Sequence, residues 1–321
     1  MIISVTPAPA VDWTIHLEQF QLGEVNRGTS ASREASGKGL NVSWALHRAG
    51  IDTLAIFPAG LPERDFFISE LTASGLRHHC VPTSVPVRTN ITLTFDSGPD
   101  TKINTNSEAL SSDDAEALLD SVTARLEQAT VLLSTGSLPP GLPESFHREV
   151  IALGRGKSVK TVLDTSGAPL QHALAASPDL VKPNLEELAE VYGRPLLNLG
   201  DVERACQELV AEGVGSVLAS LGGDGAMYVT SSESLWGRVA NVSVVNTVGA
   251  GDAMLAGFLA SNGADGEALA SALVWGASAV ESATTLFEVQ MRHADNVRID
   301  NEFDRLFPLE SDVAKIAEVG A

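Results

Sequence analysis

The chain has 321 residues, of which 44% are hydrophobic and 19% charged, enough to bury a core in one large domain with an appendage or in two domains. Its formal net charge of −20 argues against nucleic acid or an anionic membrane as a partner, but not against a small phosphorylated ligand in a local pocket. The two cysteines lie far apart, the N-terminus has no basic region, and no apolar stretch reaches about 18 residues, so we expect a cytoplasmic protein without membrane spans.

The first third of the chain predicts strands and helices interrupted by two strand-rich insertions. Residues 1–6 predict a buried strand, which prolines end. Residues 13–33 and 85–106 alternate in polarity, as strands with one exposed face do, and we expect them to form a small separate β-sheet. The other elements predicted here are a helix at 42–49, a strand at 53–59 and a helix at 63–75.

From about residue 113 the pattern changes to a regular alternation of helices and strands. This alternation predicts an α/β fold with a mostly parallel sheet wrapped by helices. The predicted helices are 115–128, 145–153, 185–192, 202–213 and 266–284, with strands at 130–134, 161–164, 180–182 and 216–220 and a tail helix after Ser311.

A glycine-rich stretch in the last third of the chain carries the strongest chemical signal. Residues 242–245 predict a strand, residues 249–251 a tight turn, and the apolar residues that follow a buried helix. Glycines let backbone N–H groups approach a ligand closely, and a helix N-terminus favours an anion. We interpret Asp252 as a base that takes a proton from a hydroxyl attacking a phosphorus held there. The alternative is that Asp252 only caps the helix.

Other candidate residues follow predicted strands, at the sheet edge where ligands gather in doubly wound folds. Gly37-Lys38-Gly39 does not fit the P-loop pattern, so P-loop chemistry is excluded. Lys38 and Arg88 are either phosphate ligands or solvated cations. Asn184 and Glu187 form either a capping box or a pair of which Glu187 helps to hold Mg²⁺, directly or through water. The loop at 220–225 either cradles nucleotide phosphates or is a simple turn.

Three of these motifs together resemble the ribokinase/PfkB family of sugar kinases. They occur in the family's order over nearly the whole chain, as Ala35-Ser36-Gly37-Lys38-Gly39-Leu40-Asn41-Val42, Val181-Lys182-Pro183-Asn184-Leu185-Glu186-Glu187-Leu188 and Asn246-Thr247-Val248-Gly249-Ala250-Gly251-Asp252. Gly23-Glu24-Val25-Asn26-Arg27 and the Gly-Lys-Gly form resemble the branch that acts on sugar phosphates. The resemblance implies one ribokinase-like kinase domain over residues 1–321, a three-layer α/β sandwich whose small β-sheet lid comprises about 13–33 and 85–106. It also implies a homodimer formed through the lids.

The resemblance further implies a reaction and a role for each motif position. We expect phosphoryl transfer from MgATP to a ketose phosphate, first fructose 1-phosphate to give fructose 1,6-bisphosphate, then tagatose 6-phosphate or fructose 6-phosphate. Asp252 is the expected base, beside an anion hole of Gly249, Ala250 and Gly251. The sugar phosphate is expected to bind Asp12, Gly37, Lys38, Asn41, Arg88 and Ser137. ATP is expected to bind Lys182, Asn184, Ser220, Gly222, Gly225 and Thr247, with Mg²⁺ supported by Glu187.

Two departures from the family pattern leave questions open. Asn246 stands where many relatives carry aspartate, which puts a monovalent-cation site in doubt, and residues 105–108 replace a more usual Pro/Gly-containing stretch, which leaves sugar selectivity open. The sequence also allows two rival hypotheses. A kinase of unphosphorylated sugars or nucleosides would give Lys38 and Arg88 no charge to neutralise, and a non-catalytic sugar-phosphate sensor would not need Asp252.

Overall fold

The computed structural model describes residues 1–98, 100–282 and 287–309. The strands are β1 (Ile2–Val5), β2 (Ala10–Leu17), β3 (Ser30–Ser36), β4 (Thr53–Ala59), β5 (His78–Pro82), β6 (Arg88–Phe95), β7 (Thr101–Asn104), β8 (Val131–Thr135), β9 (Lys160–Asp164), β10 (Leu180–Val181), β11 (Val217–Ser220), β12 (Ala226–Val229), β13 (Ser234–Val239) and β14 (Val297–Asp300). The helices are α1 (Lys38–Arg48), α2 (Glu63–Ala73), α3 (Ser112–Thr123), α4 (Phe146–Gly156), α5 (Gly167–Leu174), α6 (Leu185–Tyr192), α7 (Leu199–Ala211), α8 (Ala250–Ala260) and α9 (Asp265–Val280). The tail helix predicted after Ser311 and the predicted end of the 266–284 helix lie outside the described residues.

The larger sheet has ten strands in the order β14-β13-β12-β11-β10-β9-β8-β1-β4-β5. From β5 across to β11 every pairing is parallel, and β12, β13 and β14 complete the sheet by antiparallel pairing. Strands β1 and β4 are buried along their whole length, as central parallel strands are when helices cover both faces. The mostly parallel sheet predicted from the sequence is therefore confirmed.

Helices cover both faces of this sheet. Because successive side chains of a strand point to opposite faces, Leu132 and Leu133 pack into different hydrophobic clusters. Leu133 packs with residues of α1, α8 and α9, whereas Leu132 packs with residues of α3 and α4. Helices α5, α6 and α7 form a further cluster over Leu163 and Val181. The result is the predicted three-layer α/β sandwich.

The two strand-rich insertions form one small sheet, as predicted, in the order β3-β2-β6-β7. Strands β2 and β3 form an antiparallel hairpin, and β2 pairs with β6 in parallel from Ala10 opposite Arg88 to Leu17 opposite Phe95. The hairpin spans residues 10–36, so it starts earlier and ends later than the predicted 13–33. Its base therefore lies directly beside β1 and α1.

The structure corrects several predicted elements. Residues 242–245 form no strand. Val244 and Val245 are 66% and 60% exposed, so their β-branched side chains are not part of the core. The predicted 115–128 helix is divided into α3 and a short 3-10 helix at Leu126–Gln128. Sequence patterns missed β5, α5, β12, β13 and β14, which are short elements or strands at one end of the large sheet.

Candidate active site

The candidate site lies where several parallel strands of the large sheet end and two helices begin. The strands β9, β10 and β11 end at or next to Asp164, Lys182 and Ser220. Helix α1 begins after Gly37 and helix α8 after Gly249, whose φ angles of 142° and 78° favour glycine. Two helix N-termini therefore face the edge at which the polar strand ends meet.

Asp252, the predicted base, is buried at the start of α8 with 7% of its surface exposed. The side-chain amide of Asn41 donates a hydrogen bond of 2.8 Å to Asp252 Oδ2, and Ser36 Oγ donates to Asn41 Oδ1 at 3.2 Å. Burial, reinforced by the negative charge of Asp164, raises the pKa of Asp252 to about 6, while neighbouring cations and the Asn41 bond act in the opposite direction. A carboxyl with such a pKa can exchange a proton near neutral pH, as a general base must.

Two lysines predicted to bind different substrates share one carboxylate, that of Asp164. Lys38 Nζ donates to Asp164 Oδ1 at 3.0 Å, and Lys182 Nζ lies 3.5 Å from the same oxygen. Asp164 is fully buried; burial alone would raise its pKa, but the charges of Lys182 and Lys38 outweigh this and hold the pKa below its ordinary value. The pKa of Lys38 is raised, chiefly by Asp164, so Lys38 is a firmly charged cation.

Asp164 is a candidate site residue that the sequence interpretation missed. Its signal was available, because the residue ends the predicted strand at 161–164, on the sheet edge that singled out the other candidates. Only the folded chain brings it between two lysines that are 126 and 18 residues away. The second carboxylate oxygen, Oδ2, is buried and has no hydrogen-bond partner among the described residues.

The turn before α8 adjoins the same lysine pair. A Cβ placed on Gly251 would lie 3.4 Å from Lys182 Nζ, so the ammonium group lies against the first turn of α8. The first N–H groups of a helix lack partners within the helix, and its dipole favours an anion at this end. The ammonium of Lys182 therefore lies next to the predicted anion hole of Gly249, Ala250 and Gly251.

A cleft of about 760 Å³ adjoins this turn. Its apolar wall includes Val242, Val244, Met254, Leu273 and Val280. Seven residues of the predicted site line it, namely Asn184, Ser220, Gly222, Gly225, Thr247, Ala250 and Gly251. Lys182 lies beside the cleft and not on its wall, with 4% of its surface exposed. The cleft therefore combines apolar surface with polar strand ends next to the anion-binding turn.

Asn184 and Glu187 form the capping box that was one of the two interpretations. The Asn184 side chain accepts from the Glu187 N–H at 2.8 Å, and Glu187 Oε2 accepts from the Asn184 N–H at 2.9 Å. Glu187 Oε1 makes no hydrogen bond to the described residues, and the charge of Glu187 reaches Lys38, whose pKa it helps to raise. Capping thus uses one carboxylate oxygen and leaves the other for a hard cation.

The small sheet contributes the remaining candidates. Asn90 donates from Nδ2 to Asp12 Oδ1 at 2.9 Å across the β2–β6 pair. Asn90 thus orients Asp12, which is predicted to bind the sugar. Arg88 Nε is buried without a hydrogen-bond partner in the part of the chain that is described. Arg88 also lines a cavity of about 30 Å³ with Ser107 and Glu108, which places the divergent 105–108 segment next to it.

Ser137 lies on the turn that follows β8. It is exposed, and its neighbour Gly136 lies against Lys38, since a Cβ on Gly136 would be 4.0 Å from Lys38 Cβ. The Gly136 carbonyl contacts His147 Nε2 at 3.0 Å and accepts from Thr165 Oγ1 at 2.8 Å, which fixes the turn. Burial lowers the pKa of His147 to about 4, so this histidine is neutral and its Nε2–H donates to the carbonyl.

Comparison with known proteins agrees with this geometry. The family description "pfkB family carbohydrate kinase" matches residues 6–286. The chain belongs to the PfkB family of carbohydrate kinases. It is 38% identical over 262 residues to 1-phosphofructokinase of Haloferax volcanii, covering 81% of this chain and 84% of that protein. It is 32% identical over 264 residues to 1-phosphofructokinase of Bacillus subtilis, covering 81% and 85%.

Solved structures of the PfkB family share the fold. Phosphofructokinase-2 from Escherichia coli in complex with substrates and products matches with a TM-score of 0.85 and 30% identity over 92% of this chain and 98% of that one. The ribokinase-like sandwich with a small separate sheet is therefore confirmed, and family membership makes ATP the phosphoryl donor of this carbohydrate kinase. Among the described residues, no helix is both long and apolar enough to cross a membrane.

Proposed function

We propose that this kinase transfers the γ-phosphoryl group of ATP to O6 of fructose 1-phosphate, giving fructose 1,6-bisphosphate and ADP. The observation that carries the proposal is the Lys38–Asp164–Lys182 cluster beside Asp252. A kinase of an uncharged sugar needs cations only for ATP, and Lys38 is a second cation beside Lys182 that a phosphate on the sugar would use. The named relatives support fructose 1-phosphate over the other ketose phosphates.

In this mechanism the sugar hydroxyl lies between Asp252 and the γ-phosphorus. Asp252 accepts the hydroxyl proton as the O6–P bond forms and the bond from phosphorus to the β-phosphate oxygen of ADP breaks. Asn41 holds Asp252 Oδ2, which leaves Oδ1 to take the proton. The N–H groups of the turn formed by Gly249, Ala250 and Gly251, together with Lys182, stabilise charge on the transferred group.

Each substrate has its own set of contacts in this proposal. Lys38 and Arg88 bind the phosphate that the sugar already carries, near Ser137, and Asp12, Gly37 and Asn41 contact the sugar. ATP occupies the 760 Å³ cleft, with its phosphates toward Lys182. The contacts proposed for ATP are Lys182, Asn184, Ser220, Gly222, Gly225 and Thr247.

Magnesium fits the acidic side chains of this region, although no group of three or more acidic, histidine or cysteine residues in the described chain is arranged to hold a metal ion by itself. Mg²⁺ is commonly held by one or two carboxylates together with waters and substrate phosphates, so such a cluster is not required. Glu187 would hold the ion through the oxygen that does not cap α6. Bound there, Mg²⁺ would neutralise charge on the ATP phosphates.

The small sheet is proposed as the lid of a single kinase domain, because it is a separate sheet that carries Asp12 and Arg88, two of the predicted sugar-phosphate ligands. Its closure would exclude water, which otherwise competes with the sugar as acceptor.

We also propose a homodimer through the lids, supported by Trp13 and Ile103, which are 38% and 49% exposed on this sheet. Sedimentation of the purified chain as a monomer at micromolar concentration would contradict the dimer.

We propose a cytoplasmic location, which ATP use and the two free cysteines, Cys80 and Cys206, support.

The proposed function is tested by measuring ATP turnover in Mg²⁺ with fructose 1-phosphate, fructose 6-phosphate, tagatose 6-phosphate and unphosphorylated fructose. We expect kcat/KM for fructose 1-phosphate to exceed that for unphosphorylated fructose by at least about 100-fold, since charge-assisted contacts to its phosphate are lost with the unphosphorylated sugar. A preference for another ketose phosphate would keep the mechanism and change the substrate. Turnover of unphosphorylated fructose alone would refute the roles of Lys38 and Arg88.

A further inference from the structure

One wall of the large cleft is formed by a segment that belongs to no sheet. Residues 240–246 precede the Gly249 turn, and Val242 and Val244 line the cleft. Val244 and Val245 are more than half exposed, so burial of these side chains does not hold the segment in place. Its position must therefore depend on what its backbone bonds to.

The backbone of this segment is fastened to the end of α9. Val245 N–H donates to the Val280 carbonyl at 2.7 Å, and Asn246 N–H donates to the same oxygen at 3.0 Å. Ser243 N–H donates to a side chain instead, to Glu281 Oε1 at 3.0 Å. The bond from Ser243 to Glu281 thus attaches the cleft wall to the end of α9 through a side chain.

Glu281 occupies a position that disfavours a negative charge. It is the C-cap residue of α9, where the helix dipole stabilises cations and not anions. Its carboxylate is nevertheless held on both sides, because Oε2 is paired with Arg292 and lies 3.0 Å from Nε2 of the buried His293. The Ser243 bond is the largest cause that lowers the pKa of Glu281 to about 2, so the carboxylate stays charged.

We propose that Glu281 is a positioning residue for ATP, which holds residues 243–246 and hence the apolar wall of the cleft in place. Arg292 and His293 hold one carboxylate oxygen of Glu281, and the other oxygen accepts the hydrogen bond from Ser243 N–H. The proposal rests on the assignment of this cleft to ATP, but not on which sugar accepts the phosphoryl group.

The test replaces Glu281 with alanine and compares it with a matched acid elsewhere. Glu203 on α7 is 6% exposed and pairs with Arg305 through both oxygens, at 2.5 and 2.9 Å, outside the cleft. We expect Glu281→Ala to raise the Kd and KM for ATP about 10-fold, with kcat and KM for the sugar phosphate within about 3-fold, on the scale of one hydrogen bond to a charged group. Glu203→Ala should leave ATP binding unchanged.

A second variant separates positioning from general stability. In Glu281→Gln the amide oxygen can still accept from Ser243 N–H, so ATP affinity should recover part of the loss even though the ion pair with Arg292 is gone. Hydrogen exchange of the amides at 243–246 should quicken in Glu281→Ala and not in Glu203→Ala. Wild-type ATP affinity in Glu281→Ala, or equal weakening in both alanine variants, would overturn the proposal.

Calorimetric titration of ATP without sugar keeps this test separate from the sugar assignment. A different preferred sugar would leave the result intact. Failure of the wild-type chain to bind ATP would overturn the cleft assignment and this proposal together.

Discussion

Replacing Asp252 with asparagine should lower kcat by at least about 100-fold, the scale of a positioned general base. The amide cannot accept the hydroxyl proton, although it has nearly the same shape. Steady-state turnover of ATP with saturating fructose 1-phosphate measures the effect. Near-normal turnover in a folded variant would show that Asp252 is not the base.

The pH dependence gives an independent readout of the same residue. The pKa of Asp252 is about 6, and the base must be ionised, so kcat/KM should rise with pH through about 6 and level off above it. The substrate phosphate also titrates near pH 6, so the residual activity of Asp252→Asn provides the baseline that contains the substrate ionisation alone. Identical profiles for the two proteins would contradict the role.

Two controls guard against misfolding. Asp201 is the third residue of α7, as Asp252 is of α8, and Asp201→Asn should leave kcat unchanged. The pKa of folded Asp252 lies above its ordinary value of 3.8, so its ionisation lowers the stability of the fold as the pH rises from 3.8 to about 6, and the loss is complete above that pH. The melting temperature of Asp252→Asn at pH 8 should therefore be equal to or higher than that of the wild type.

Replacing Lys38 with methionine should lower kcat/KM for fructose 1-phosphate by about 100-fold, the effect expected when a partly buried charged partner of a phosphate is removed. Turnover of unphosphorylated fructose should change by less than about 3-fold, since that sugar offers no charge to lose. The measurement is the ratio of the two specificity constants. Asp164 keeps Lys182 as its partner, so the buried carboxylate is not left alone.

The matched control is Lys157→Met, which removes an exposed lysine at the end of α4. It should alter neither specificity constant. An equal loss of kcat/KM for both sugars in Lys38→Met would mean that Lys38 supports the site as a whole and does not bind the phosphate of the sugar.

Local sequence was sufficient for the elements with strong periodicity. The buried strand at 53–59 and the helix at 185–192 have the predicted bounds, because each is enclosed by clear turn or capping signals. Residues 242–245 misled the prediction, since β-branched residues were assumed to mark a buried strand but here border a cleft. The hairpin bounds were wrong by three residues at each end.

The candidate site was predictable as a set of strand ends, but not as a network. The hydrogen bond between Asn41 and Asp252 joins residues 211 positions apart, and neither motif by itself predicts a contact with the other. Asp164 escaped attention because a lone aspartate after a strand has no local pattern. It stands out only in the folded chain, where Lys38 and Lys182, which belong to other parts of the sequence, lie beside it. The roles assigned to the site residues stay predictions until the variants above are measured.

The position of β1 in the large sheet has a consequence for how the chain folds. This strand lies between β4 and β8, with Ile2 opposite both Thr53 and Val131. Until β8 has been synthesised, one side of β1 keeps unpaired N–H and C=O groups. Contacts so distant in sequence slow folding, and an unpaired strand edge is prone to aggregate. A nascent chain that stops short of residue 131 thus carries an open edge at what will become the middle of the sheet.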